Sequence, residues 1–262
     1  MQCNIFLVSF VLSFVLIPGT GIGTNHNYLT GTSIVAVRTG TEVVVGADGL
    51  AVLTGEDASP IYVCKILQIG RAFFAAARLV ADNQGEFDVA RTVRATYREN
   101  EPLLASVRRF ETEMVPQLRE VVAYIRDHDR RYFEKEVANK PALEIAFFGW
   151  EGSAPVLYLR YFTVRVAPDS SFTISARQKN CPGDCPSGIV YTTLGHHDAI
   201  DEKLKRVPHY WRRGTVTSVR ELIELEARAK PQFVGGAIDI IRLMASGPKW
   251  LQRKPQCPPL IP

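Results

Sequence analysis

Apolar residues recur at two spacings along this chain, and the change from one to the other divides it into elements. Ile34–Val37 and Val43–Val45 are short runs rich in β-branched residues, joined by Arg38-Thr39-Gly40-Thr41-Glu42. They predict a β-hairpin with Gly40 supplying the turn. Residues 50–62, with Gly55 and Pro60, read as a loop, and strands follow at 63–69 and 72–76. The period then lengthens. Phe87, Ala90, Val93 and Tyr97 fall at helical spacing within 82–97, and Val107, Phe110, Met114, Leu118, Val121 and Ile125 mark a long amphipathic helix over 103–125, kinked or restarted at Pro116. Stretches 143–148, 156–166, 172–176 and 189–194 read as strands of a second sheet. Helical patterns return at 199–205 and 219–229, before a last strand pair at 237–244 and 249–251. Strands, two helices, strands, helices, strands is the order of an α+β fold, a four-layer αββα sandwich of two sheets covered by helices.

The first residues are different in kind. Ile5–Ile17 is almost wholly apolar and uncharged, and Pro18-Gly19-Thr20-Gly21-Ile22-Gly23 then breaks any helix and offers small residues for cleavage. The run is shorter than the roughly 20 residues needed to span a bilayer, so residues 1–23 read as a secretory signal peptide, with an uncleaved anchor as the other reading. The product is then secreted, periplasmic or otherwise extracytoplasmic. The whole chain of 262 residues, 46% hydrophobic and 22% charged, suits one domain with a full core. A formal charge of +4 is spread thinly. Arg108-Arg109, Arg130-Arg131 and Arg212-Arg213 read as solvated faces, and no nucleic-acid footprint emerges.

Export bears on the cysteines. Losing the leader removes Cys3 and leaves Cys64, Cys181, Cys185 and Cys257. Cys181-Pro182-Gly183-Asp184-Cys185 is a tight loop that closes on itself or sends one thiol to Cys257 in the Pro-rich tail at 255–262, with Cys64 a buried free thiol. Finger-like metal spacing is absent. His128, between Asp127 and Asp129, invites a metal reading, but neighbours on a helix point apart, and a solvated helix end explains it.

Candidate chemistry gathers at residues 31–65. The hairpin returns Asp48, at the end of its second strand, to the sheet edge where Thr32 opens the first. On the next strand Val63, Lys65 and Leu67 share a face, so Lys65 is either recruited to a site or a half-buried structural lysine. With Gly31-Thr32, Asp48 and Lys65 in register, the stretch resembles the proteasome β-subunits and related bacterial ATP-dependent peptidases, which are N-terminal nucleophile (Ntn) hydrolases. Lys65 matches with one inserted residue, and Val43-Val44-Val45-Gly46-Ala47-Asp48-Gly49 looks especially like the bacterial members.

The resemblance implies an Ntn-hydrolase fold over 32–254 and a propeptide at 24–31 cut at Gly31-Thr32. Thr32, Asp48 and Lys65 are then the catalytic residues, and the uncut chain is a zymogen because the Thr32 nitrogen is still an amide. It implies no metal and no organic cofactor. The family's oxyanion glycine appears as Ala77-Arg78, so the backbone N–H of Arg78 takes that role. The auxiliary Gly-Ser turn becomes Gly195-His196-His197-Asp198, making His196 and Asp198 auxiliary candidates, although His196 and His197 also read as a helix N-terminal pair with Asp198 favouring the local dipole. The family's late Asp-x-x-Ser becomes Pro231-Gln232-Phe233-Val234 ahead of Gly235-Gly236. The expected function is threonine-type hydrolysis of peptide or amide bonds. Rival expectations are a catalytically inactive relative with a structural or binding role, and an amidase for a small amide or peptidoglycan-like peptide. Relatives form rings, so a homo-oligomer is one expectation; an ATP-driven unfoldase partner is not expected outside the cytoplasm.

Overall fold

A computed structural model describes residues 27–54, 60–185 and 187–260. The expected signal peptide and residues 24–26 of the expected propeptide lie outside them. In chain order the strands and helices are β1 (Tyr28–Thr30), β2 (Ser33–Arg38), β3 (Val43–Ala47), β4 (Leu50–Leu53), β5 (Pro60–Tyr62), β6 (Ile66–Ile69), β7 (Ala72–Arg78), β8 (Ala81–Asp82), α1 (Val89–Thr96), α2 (Leu103–His128), α3 (Arg130–Tyr132), β9 (Pro141–Glu151), β10 (Ala154–Val166), β11 (Phe172–Cys181), β12 (Val190–Gly195), α4 (Asp198–Arg206), α5 (Thr215–Ala229), β13 (Asp239–Met244) and β14 (Gly247–Gln252). The protein is mixed α+β. Among the described residues the strands form three antiparallel sheets, ordered β12-β2-β3-β13-β14, β11-β10-β9-β7-β6 and β5-β4-β1-β8.

Alternation along the strands assigns each side chain to a face. In β2, Ile34 and Ala36 turn toward Phe73, Ala75, Ala146 and Phe148 of the second sheet, while Val35 and Val37 pack on Val219, Leu222 and Ile223 of α5. The far face of the second sheet receives the apolar stripe of α2, where Phe110 meets Phe147 edge-on at 5.2 Å. α2 continues unbroken through Pro116, because packing of this stripe on the sheet outweighs one missing backbone donor. Among the described residues, no helix is long and apolar enough to cross a membrane.

Several expectations need correction. The stretch at 50–62 contains two strands, β4 and β5. β12 does not join β9–β11 in a second sheet; it pairs with β2, Gly195 opposite Ser33. The helix expected from residue 82 begins at Val89, because Asp82 folds a turn by accepting the N–H groups of Glu86 and Phe87, and Asp88 is the true cap, bonding the N–H groups of Ala90 and Arg91. Cys64 is not a free thiol. Cys64 and Cys257 form a disulfide with 5.7 Å between Cα atoms, and Cys181 bonds Cys185. The chain after β14 runs back past the start of β6, which brings the two distant cysteines together.

Candidate active site

The β2–β3 register sets Ser33 against Asp48. The Asp48 N–H donates to Ser33 O at 3.2 Å, and the Ser33 N–H donates to Asp48 Oδ1 at 2.8 Å. Asp48 is fully buried. Lys65 Nζ donates to the same Oδ1 at 2.7 Å, while Oδ2 accepts the N–H groups of Leu50 at 3.1 Å and Gly235 at 2.9 Å. All four partners of the carboxylate are therefore donors. Lys65, 7% exposed, also donates to the carbonyl of Leu50. Burial pushes its ammonium down to about 8; Asp48 opposes that shift and the positive charge of Lys254 adds to it.

This shift has a measurable consequence. An unfolded lysine keeps its proton to about pH 10.4, whereas folded Lys65 releases it near 8. Between those values the unfolded chain binds more protons, so stability rises with pH. The unsubstituted protein is expected to gain about 2–3 kcal/mol relative to Lys65→Met between pH 8 and 10. Urea midpoints of both proteins across that window measure it, and parallel curves would refute the burial of a charged amine.

Thr32 lies one peptide from this ion pair and is 2% exposed. Its hydroxyl donates to the carbonyl oxygen of Gly31, the residue before it, and its own carbonyl accepts the His196 N–H at 2.7 Å. Two glycines make this approach possible. Gly31 has φ +81°, a region open to glycine at little cost. Gly195, also at φ +81°, lies so near that a Cβ there would fall 2.1 Å from the Thr32 carbonyl oxygen.

Arg78 holds φ +77°, unusual for a residue with a side chain. Its guanidinium donates to Gly195 O at 2.9 Å and faces Glu144 Oε2 at 3.4 Å. Glu144 Oε2 also accepts the Gly195 N–H at 2.6 Å. The sequence reading missed Glu144, although a single carboxylate inside the apolar run Leu143-Glu144-Ile145 was its signal.

His196 stacks on Phe233 with ring centroids 4.9 Å apart. Burial, then the charges of Arg78 and Lys230, push it down to about 4, so its ring is neutral near pH 7. His197 pairs with Asp201 at 2.9 Å. Asp198 opens α4, but its exposed carboxylate meets Lys230 and is not joined to the Thr32 cluster by any hydrogen bond. Thr30, Arg78, Tyr124, Tyr132, His196 and Phe233 are among the residues lining a cleft of about 840 Å³. Thus Asp48 and Lys65 are in contact, Thr32 adjoins them through Ser33, and His196 and Arg78 line the cleft. No family model matches this sequence, and no curated protein matches it.

Proposed function

We propose that this chain is an exported, proteasome-β-like Ntn hydrolase that cuts itself between Gly31 and Thr32 and then hydrolyses peptides. The observation that carries this reading is the Thr32 hydroxyl folded onto the Gly31 carbonyl, one residue from a buried lysine–aspartate pair. The packing of α1 and α2 on one sheet and α4 and α5 on the other supports the four-layer αββα sandwich of that family.

In the first reaction Thr32 Oγ attacks the Gly31 carbonyl carbon, and the hydroxyl proton ends on the departing nitrogen. Water then hydrolyses the ester, leaving a carboxylate on Gly31 and restoring the hydroxyl. The freed α-amine of Thr32, with a reference pKa of about 7.7–8.0, is the base for later substrates. The Lys65 ammonium favours the neutral form of that amine and stabilises negative charge developing on Oγ. Backbone N–H groups, with that of Arg78 the proposed donor, meet the oxyanion.

Peptides are favoured over small amides because β1, the segment before the cut, is itself bound as an extended strand between β4 and β8. A substrate peptide added at that place reuses the same backbone pairing. The two disulfides agree with an oxidising compartment outside the cytoplasm.

Intact-mass measurement of the purified protein tests the reading. The expected product is a chain beginning at Thr32 that then cleaves members of an extended-peptide library. A chain that keeps residues 27–31 through prolonged incubation would instead mark an inactive relative, as the replacement of the auxiliary groups around His196 and Phe233 would allow.

A further inference from the structure

The chain after β14 carries a second buried cation. Lys254 is 2% exposed, and its ammonium lies 3.0 Å from Asp239 Oδ2. Asp239, fully buried, opens β13 opposite Ala47. Its carboxylate also accepts the Lys254 N–H at 2.8 Å and pairs with Arg253 at 3.2 Å. The Lys254 ammonium approaches the backbone just beyond Asp48: a Cβ placed on Gly49 would fall 3.4 Å from Nζ. The Gly49 carbonyl in turn accepts the N–H of Val63 at 2.9 Å, on the segment that leads into Lys65. The Cys64–Cys257 disulfide fastens the same two segments together, Cys64 preceding Lys65 and Cys257 following Lys254.

We infer that Lys254, seated against Gly49 and held there by the Cys64–Cys257 disulfide, is a positioning residue that acts on the Thr32 site through Lys65. The inference rests on the hydrolase reading of Thr32, Asp48 and Lys65. Lys65 touches Asp48 directly and feels the charge of Lys254, which is itself paired with Asp239 beside Arg253, while His196, neutral near pH 7, lies within electrostatic reach. Burial and Lys254 both lower the pH at which Lys65 gives up its proton, against Asp48. Without Lys254 the ammonium persists to higher pH, and Asp239 keeps only Arg253 as a charge partner. Opening the disulfide with a dithiol has the same effect: two electrons and two protons pass to Cys64 and Cys257, the dithiol closes to a cyclic disulfide, and the tail is released from β6.

The direct test follows the Lys65 amine by NMR in chains labelled with ¹⁵N-lysine and carrying Thr32→Ala, which neither process nor turn over. Lys65 is expected to titrate near 8 in the parent and about one pH unit higher with Lys254→Met. Lys254→Arg, which keeps the charge, is expected to leave the parent value. Dithiol treatment, or the pair Cys64→Ser and Cys257→Ser, is expected to raise it as Lys254→Met does, and adding Lys254→Met to that pair to change nothing more. An unmoved Lys65 with Lys254→Met, or equal movement in the Met and Arg variants, would overturn the inference. Should Lys254→Met fail to fold, the serine pair decides, and an unmoved Lys65 there is equally fatal. In the unsubstituted chain, the alkaline limb of peptide hydrolysis is expected to move with the same titration. Failure of the hydrolase reading shows separately, as an uncut Gly31–Thr32 bond.

Discussion

Asp48→Asn is expected to lower stability by about 3–5 kcal/mol, the loss typical of breaking a buried ion pair from one side. Every hydrogen bond to this carboxylate comes from a donor: Ser33 N–H and Lys65 on one oxygen, Leu50 N–H and Gly235 N–H on the other. An asparagine can present its oxygen to only one of those pairs. Its NH₂ group then confronts the other pair donor to donor at a fully buried position. If the oxygen stays with Lys65, the loops ahead of β4 and β13 lose their anchor; if it turns, a buried ammonium loses its counter-charge. Urea unfolding of the two proteins side by side measures the loss. A midpoint that does not change would mean that the carboxylate is not the hub its contacts describe.

Thr32→Ala is expected to hold the chain at its uncut mass while changing stability by less than about 1 kcal/mol, since among the described residues the lost hydroxyl bonds only to the carbonyl of the preceding residue. Thr32→Ser keeps a nucleophilic oxygen and is expected to process, more slowly, because the methyl group that restricts χ1 is gone. Processing in the alanine chain at no less than about a thousandth of the parent rate would exclude Oγ as nucleophile, since removing a nucleophile ordinarily costs more than that. Intact-mass time courses of the three chains give the comparison directly.

How much of this was readable in advance depends on how far apart the interacting residues lie. The hairpin and the arrival of Asp48 beside the start of β2 follow from a local alternation of apolar residues and a short connection. Lys65 was legible as a lysine in an apolar stretch, although it lies just ahead of β6 and not on the strand expected over 63–69. What escaped was pairing between distant segments. Period-2 patterns mark a strand without naming its partner, so β12 was assigned to the wrong sheet. β4 and β5 are too short for alternation to distinguish them from a loop. Cys64 and Cys257 are separated by 193 positions, and nothing local ties them. Asp239 and Lys254 each looked ordinary, because a buried ion pair leaves no periodic trace when its halves sit at the end of one strand and beyond the end of another. The resemblance to proteasome β-subunits named the trio at the site, but it was silent on Glu144, which replaces no group that the family pattern specified.

The bond between Cys64 and Cys257 closes residues 64–257 into a covalent ring, with β1–β5 on the arm that leads into it. A single nick within that ring yields two pieces that stay attached to each other until a reductant arrives. The Gly31–Thr32 bond lies on the entering arm, so its scission can shed material at once. The architecture thus separates the proposed cut, which would release a segment, from cuts within the ring, which would only scar the molecule.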